Sequence, residues 1–243
     1  MNIQWHHHSS LDSTNTWAKA HRASFDKSCL HVITCDEQTK GRGRHGRPWQ
    51  SSKGQNSLLS FALFWPHKDF QPFSFSQATA LCVSDLLLSF GIESQIKWPN
   101  DLLVEGKKIA GILVEVEPLE NCHYIIVGCG LNINMPVEEL ELLPKKATSM
   151  YVETGHPFDV QAVQRTFVDL FVQKLQEAIE FGFQQSIDSW HQRVQWMVSQ
   201  HAIVQTHFTT VEGSIVEIIP DGNLLLETST GQIFPIHSGE IFC

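Results

Sequence analysis

The chain has 243 residues, 42% of them hydrophobic, and a formal charge of -9. That composition supports one large domain, or one domain with a small appendage. It argues against a general binder of nucleic acid or anionic membrane, whose affinity comes from spread positive charge.

No apolar run approaches the ~20 residues of a membrane span. The opening MNIQWHHHSS lacks the basic-then-apolar pattern of a secretory signal, so a cytoplasmic protein is expected. Six scattered cysteines show no CxxC and no zinc spacing, which predicts reduced structural thiols. Adjacent histidines in a strand point to opposite faces, so His6 to His8 make a poor three-ligand metal site and read as a surface strand.

In LDSTNTWAKAHRA, Asp12 or Ser13 is placed to cap a helix whose first turn holds Thr14 and Asn15. CLHVITCDEQ reads as a buried strand leading into GRGRHGRPW, and NSLLSFALFW as a second strand. SFSQATALCVSDLLLSFG has helical spacing, with Gly91 as its stop. SQIKWPNDLLVEGKKIAGILVEVEP gives strands joined at EGKK, and HYIIVGCGLNIN a strand ending in a glycine turn. From DVQAVQ to VQWM apolar residues recur at helix spacing, and Phe171, Leu175, Ile179 and Phe183 are expected to cover a sheet.

After about Ser199 short strands alternate with PDGN and STGQ, as in a small β-barrel. The expected fold is α+β: a mixed, mostly antiparallel sheet with helices over residues 1–198, then a small β domain over 199–243.

Two stretches carry unusual chemistry. From Gln38 through Lys68 there is no acidic residue, while Lys40, Arg42, Arg44, Arg47, Lys53 and Lys68 all fall there. Glycines at 41, 43 and 46 permit close backbone approach to a ligand, arginines suit phosphate oxygens, and Trp49 offers a flat face for a base. The loop matches neither the P-loop nor the dinucleotide fingerprint. In IKWPND, alternation sends Ile96 and Trp98 to one face and Lys97 to the other; alone, Lys97 reads as solvent-facing. GCGLN alone reads as a turn.

DSTN, EQTKGRGRHGRPW, KWPNDLL, KKIAGILVE and GCGLNIN occur together and in this order. Here the sequence closely resembles the biotin protein ligases, from about Leu11 to the C-terminus. The resemblance implies a catalytic α+β domain followed by an SH3-like barrel. It also implies a two-step reaction: biotin and MgATP give biotinyl-5'-adenylate and pyrophosphate, then a carrier lysine takes the biotinyl group. Its implied cofactors and substrates are ATP, Mg²⁺ and biotin, and its implied partner is the biotin carrier domain of a carboxylase.

The resemblance implies roles residue by residue. Ser13, Thr14, Asn15 and Gln38 would hold the biotin head group, and Leu102 its apolar part. Arg42, Gly43 and Arg44 would cover biotin and adenylate, and Arg47 would meet the polyphosphate. Lys97 would sit between the biotin carboxylate and the α-phosphate, making Arg44 and Lys97 the catalytic pair. Trp49 and Asn132 would frame adenine, Lys108 would contact phosphate, and Gly111 and Gly128 would let backbone approach the ligand. Asp101 is the one candidate for Mg²⁺.

The loop's like charges predict mobility until an anion binds. His45 replaces an arginine common in relatives and has no assigned role, and no arginine near Cys243 is available to reach the nucleotide. DSTN beginning at Asp12 predicts a ligase without an N-terminal DNA-binding module, acting as a monomer or weak homodimer and contacting neither nucleic acid nor membrane. The alternatives are a lipoate or octanoyl protein ligase, a non-catalytic biotin- or nucleotide-binding regulator, and a nucleic-acid binder using the basic loop.

Overall fold

In the computed structural model, residues 1–66, 71–206 and 208–242 are described; Lys68 and Cys243 lie outside them. The β-branched run CLHVITC forms β2 (Cys29–Cys35), buried along its whole length, as a strand covered on both faces must be. β1 (Asn2–His8) runs parallel beside it, Asn2 opposite Cys29. Parallel neighbours need a crossover, and α1 (Thr14–His21) lies within it.

β2 pairs antiparallel with β3 (Asn56–Trp65), which pairs with β7 (His123–Asn132). The sheet continues through β6 (Lys107–Pro118), β5 (Asp101–Val104) and β4 (Gln95–Lys97), all antiparallel. The seven-stranded order is β1-β2-β3-β7-β6-β5-β4. EGKK makes the expected hairpin, with Glu105 and Gly106 both left-handed, the backbone a two-residue turn requires.

Alternation splits the sheet into two faces. Leu59, Phe61, Ile125 and Val127 join the large core, under α2 (Pro72–Ser89) and α5 (Val160–Phe181). Phe61 stacks on Phe171 there, ring centroids 3.7 Å apart. Ile33, Ala62, Tyr124 and Ile126 face the other way and pack with Ala18 of α1.

The expected helical stripe needs one correction: Phe171 and Leu175 are buried, but Ile179 is 45% exposed and Ala178 takes its place. Steps of four residues overshoot a 3.6-residue turn by about 40° each, so the stripe rotates off the core. Phe183 lies just beyond α5, at the start of α6 (Gln184–Val194), and packs against the core. Two short helices, α3 (Val137–Leu140) and α4 (Met150–Thr154), bridge β7 to α5.

A second antiparallel sheet follows: β8 (His201–Gln205), β9 (Thr210–Ile218), β10 (Leu224–Glu227), β11 (Ile233–Ile236) and β12 (Glu240–Phe242). Its order is β11-β10-β9-β8-β12, and its short antiparallel strands agree with the expected C-terminal β unit. PDGN closes the β9–β10 hairpin through a left-handed Gly222, and STGQ the next through Gly231.

Trp98, 1% exposed, donates its indole N–H to Gly222 O at 2.7 Å. Gln77 of α2 reaches Pro220 O at 3.0 Å. These contacts hold the second sheet against the first. Among the described residues, no helix is long and apolar enough to cross a membrane.

Among the described residues four cysteines are buried, and burial pushes the thiols of Cys35, Cys82 and Cys129 up to about 12. Thiols held so far from the thiolate are inert, as structural cysteines should be.

Candidate active site

On the α1 face of the sheet, the apolar run gives way to Ser60, Gly128, Gly130 and Gly111. Ser60 pairs with Gly128, and Gly130 with Gly111. The glycines expected to form a turn instead lie within β7. Their value is the missing side chain: a β-carbon on Gly128 would come within 2.3 Å of Asn15 Oδ1, and one on Gly130 within 2.4 Å of Trp49 Cε2. The sheet therefore offers a bare floor on which the start of α1 and the end of the Gly/Arg loop both rest.

Over this floor lies a cavity of about 700 Å³, within the range of small-ligand sites. Of the residues to which the resemblance gives a ligand role, all but Leu102 line it: Ser13, Thr14, Asn15, Gln38, Arg42, Gly43, Arg44, Arg47, Trp49, Lys97, Asp101, Lys108, Gly111, Gly128 and Asn132. Leu102 is fully buried in the large core. The cavity-facing apolar residue of β5 is its neighbour Leu103, because alternation turns Asp101 and Leu103 one way and Leu102 and Val104 the other.

One end of the cavity is a hydrogen-bond network. Ser13 occupies the N-cap of α1 but makes no side-chain cap, which leaves its hydroxyl to the cavity wall. Gln38 Oε1 accepts from Thr14 N at 2.8 Å. Ser60 Oγ lies 2.7 Å from Thr14 Oγ1 and donates to Asn15 Oδ1 at 2.6 Å. Asn15 Nδ2 donates to Glu115 Oε2 at 2.7 Å.

The other end is cationic. Arg44 donates to Asn100 Oδ1 at 3.3 Å; burial draws its pKa down and Asp101 opposes that. Lys108 pairs with Asp101 at 2.6 Å and stands 5.4 Å from the Trp49 ring centroid. Lys145 was not picked out from the sequence, because nothing in LPKK signals a return to the sheet. Burial lowers its pKa first, followed by the charge of Arg47, with Lys108 and Lys97 adding to the effect against Asp101. In the lining, Trp49 Nε1 and Asn132 Oδ1 are buried without a hydrogen-bond partner. A donor and an acceptor left in this way fit a polar heterocycle.

The loop itself is a closed hairpin: Gly43 N donates to Arg47 O at 2.7 Å and Trp49 N to Gly41 O at 2.9 Å. At its tip His45 has φ 56° and Gly46 φ 73°. Histidine is enriched in that left-handed region, which gives position 45 a conformational role. The repulsion behind the expected mobility is offset by acids far away in sequence: Glu115 pairs with Arg42 at 2.9 Å, and Glu240 of β12 pairs with Arg47 and Lys145. Residues 239–242 of the second sheet thus complete the cavity wall.

A resident metal does not fit these donors. Asp101 is committed to Lys108, and among the described residues no three His, Cys, Asp or Glu side chains gather as a metal site.

Fold and cavity define an α+β protein with a two-ended cavity, polar at one end and cationic at the other. The model of the biotin/lipoate A/B protein ligase family matches residues 8–132, and the chain belongs to that family. The bifunctional ligase/repressor BirA of Bacillus spizizenii is 31% identical over 216 residues, 86% of this chain and 65% of that relative. The chain thus spans just under two thirds of its length. The biotin--[acetyl-CoA-carboxylase] ligase of Paracoccus denitrificans is 29% identical across 95% of this chain and 97% of its own. Among solved structures, the Aquifex aeolicus biotin protein ligase in complex with biotin and ATP superposes with a TM-score of 0.76. It is 27% identical, over 99% of this chain and 97% of that one.

Proposed function

We propose that the protein is an ATP-dependent biotin protein ligase. It joins the carboxylate of biotin to the α-phosphate of ATP, releasing pyrophosphate, and passes the biotinyl group from AMP to a lysine of the biotin carrier domain of a carboxylase. The observation that carries this reading is the two-ended cavity. The hydrogen-bond network at the start of α1 suits a small polar ring, and Arg44, Lys97, Lys108, Arg47 and Lys145 gather at the opposite end.

The chemistry asks for little more. Carboxylate and phosphate repel, so attack at phosphorus needs fixed positive charge, strongest where charge builds in the transition state. Lys97 and Arg44 provide it at the junction. Arg47, Lys108 and Lys145 face the leaving pyrophosphate, with Arg47 and Lys145 exchanging Glu240 for phosphate oxygens. Asn132 Oδ1 accepts from an exocyclic amine, and Trp49 packs on the base. In the second step the carrier amine attacks the acyl carbon and AMP leaves. Any Mg²⁺ the reaction uses would be held by the polyphosphate, because Lys108 engages Asp101 at 2.6 Å. In this reading the chain divides near 198/199, and the second unit contributes Glu240 to the first.

Incubation with ATP, Mg²⁺ and biotin, lipoate or octanoate, with and without a biotin carrier domain, tests the reading. Pyrophosphate released only with biotin, together with a biotin-sized mass gain on the carrier, is the expected result. Ligand binding without turnover would end the enzyme reading, and turnover with lipoate or octanoate would redirect it to the other branch of the family.

A further inference from the structure

β6 presents two carboxylates on one face, Glu115 and Glu117, two residues apart. α1 presents two partners on one face, Asn15 and Lys19, four residues apart. The spacings match: two strand residues span about 6.7 Å and four helix residues about 6 Å. Glu117 pairs with Lys19 at 2.9 Å and with Arg22, just past α1, at 2.7 Å. Glu115 accepts from Asn15 Nδ2 at 2.7 Å. Both acids pin α1 to the sheet, but Glu115 has a second load: Arg42 Nη2 reaches its two oxygens at 2.9 and 3.2 Å.

Glu115 lies outside the cavity lining, while Asn15 and Arg42 both belong to it. The network runs from Gln38 to Glu115. Gln38 Oε1 accepts from Thr14 N at 2.8 Å and from the Thr14 hydroxyl at 3.1 Å, and the Thr14 hydroxyl oxygen lies 2.7 Å from Ser60 Oγ. The Ser60 hydroxyl reaches Asn15 Oδ1 at 2.6 Å, and Asn15 Nδ2 donates to Glu115 Oε2 at 2.7 Å. The chain ends on a carboxylate that also holds the loop. Neutral Asn15 is thereby forced to turn its oxygen toward Ser60 and its amide nitrogen toward β6, where Leu113 O accepts as well at 3.3 Å.

We infer that Glu115 is a positioning residue that couples the Gly/Arg loop to the head-group end of the cavity. It sets the orientation of Asn15 and the seat of Arg42 with the same two oxygens. Closure of the loop and readiness of the head-group site are then one event. This coupling deepens the ligase reading and rests on it for its catalytic consequence, but the structural coupling can be read without any substrate.

Glu115→Gln and Glu117→Gln separate the two jobs, since both loosen α1 and only the first touches the loop. In ligand-free protein, hydrogen–deuterium exchange of Gly43 and Trp49 amides should speed in E115Q and match wild type in E117Q. With substrates, E115Q should raise the biotin KM and the release of free adenylate by about tenfold or more, the scale of one hydrogen bond to a charged group. KM for ATP should move far less, and E117Q should lower Tm without either change. Equal loop exchange in the two variants, or biotin KM and adenylate retention in E115Q within twofold of wild type, would overturn the coupling. Wild-type protein with no biotin-dependent pyrophosphate exchange would instead sink the ligase reading, and the exchange measurement would still decide Glu115.

Discussion

Trp49 rests against Gly130 so closely that a β-carbon on the glycine would come within 2.4 Å of the indole Cε2 and 2.8 Å of Nε1. The last residue of the Gly/Arg loop is thus seated on backbone, in a space the strand keeps empty. Gly130→Ala must displace the indole or bend the strand. Overpacking of this kind costs about 1–3 kcal/mol. The variant should melt several degrees lower and show a raised KM for ATP, with biotin binding measured alone nearly unchanged. Wild-type values for both Tm and the ATP KM would show that Trp49 does not depend on this seat.

Gly128 makes the same provision for Asn15, at the other end of the cavity. A methyl group there meets Asn15 Oδ1 at 2.3 Å and Nδ2 at 3.2 Å, so the amide loses its place between Ser60 and Glu115. Gly128→Ala should weaken biotin binding by at least tenfold, about 1.4 kcal/mol, and leave ATP binding close to wild type. Calorimetric titration with each ligand separates the two. Equal losses for both would point to general unfolding of the sheet floor.

Arg44 is the half-buried cation of the loop, and its Asn100 contact ties the loop to the turn after Lys97. Loop closure over a reactive anhydride keeps water and stray amines out. Arg44→Gly should therefore let free adenylate escape and label exposed lysines of bystander proteins. Retention of the intermediate at the wild-type level would rule out the lid role.

β1 carries a pH-dependent contact. His6 stacks with Phe25 and His31, tilts against Trp17, and lies 3.1 Å from His31 Nδ1 through its Nε2. Burial first, then the charges of His31, His8 and His21, hold its pKa below 6.5. A lowered folded-state pKa favours the neutral ring, so this stability is complete above pH 6.5 and drains as pH falls through the folded value. Tm of wild type should drop on acidification below that point more steeply than Tm of His6→Phe. Parallel Tm curves would remove His6 as a source of acid sensitivity.

Much of this was legible in the chain. Strand alternation placed Lys97 opposite Ile96 and Trp98, and the structure has the lysine in the cavity and the other two in the core. PDGN and STGQ marked their hairpins because a left-handed residue announces itself as glycine. Leu102 and the GCGLN turn were misread for a common reason. Which face of a strand meets a ligand, and whether a glycine bends the chain or clears space above it, depends on neighbours distant in sequence.

His45 was unexplained until its backbone was seen. Its role lies in φ, which side-chain chemistry does not display.

The sequence by itself determined the elements, the positive loop and the family, because these depend on periodicity, local charge and short motifs. Only the tertiary structure decided where the loop's charges are balanced. Glu115 lies 73 positions from Arg42, and Glu240 lies on the second sheet while Arg47 and Lys145 belong to loops far from it in sequence. Electrostatic pairing acts through space and falls with distance, so a loop with no acid of its own is neutralised by acids that folding brings to it.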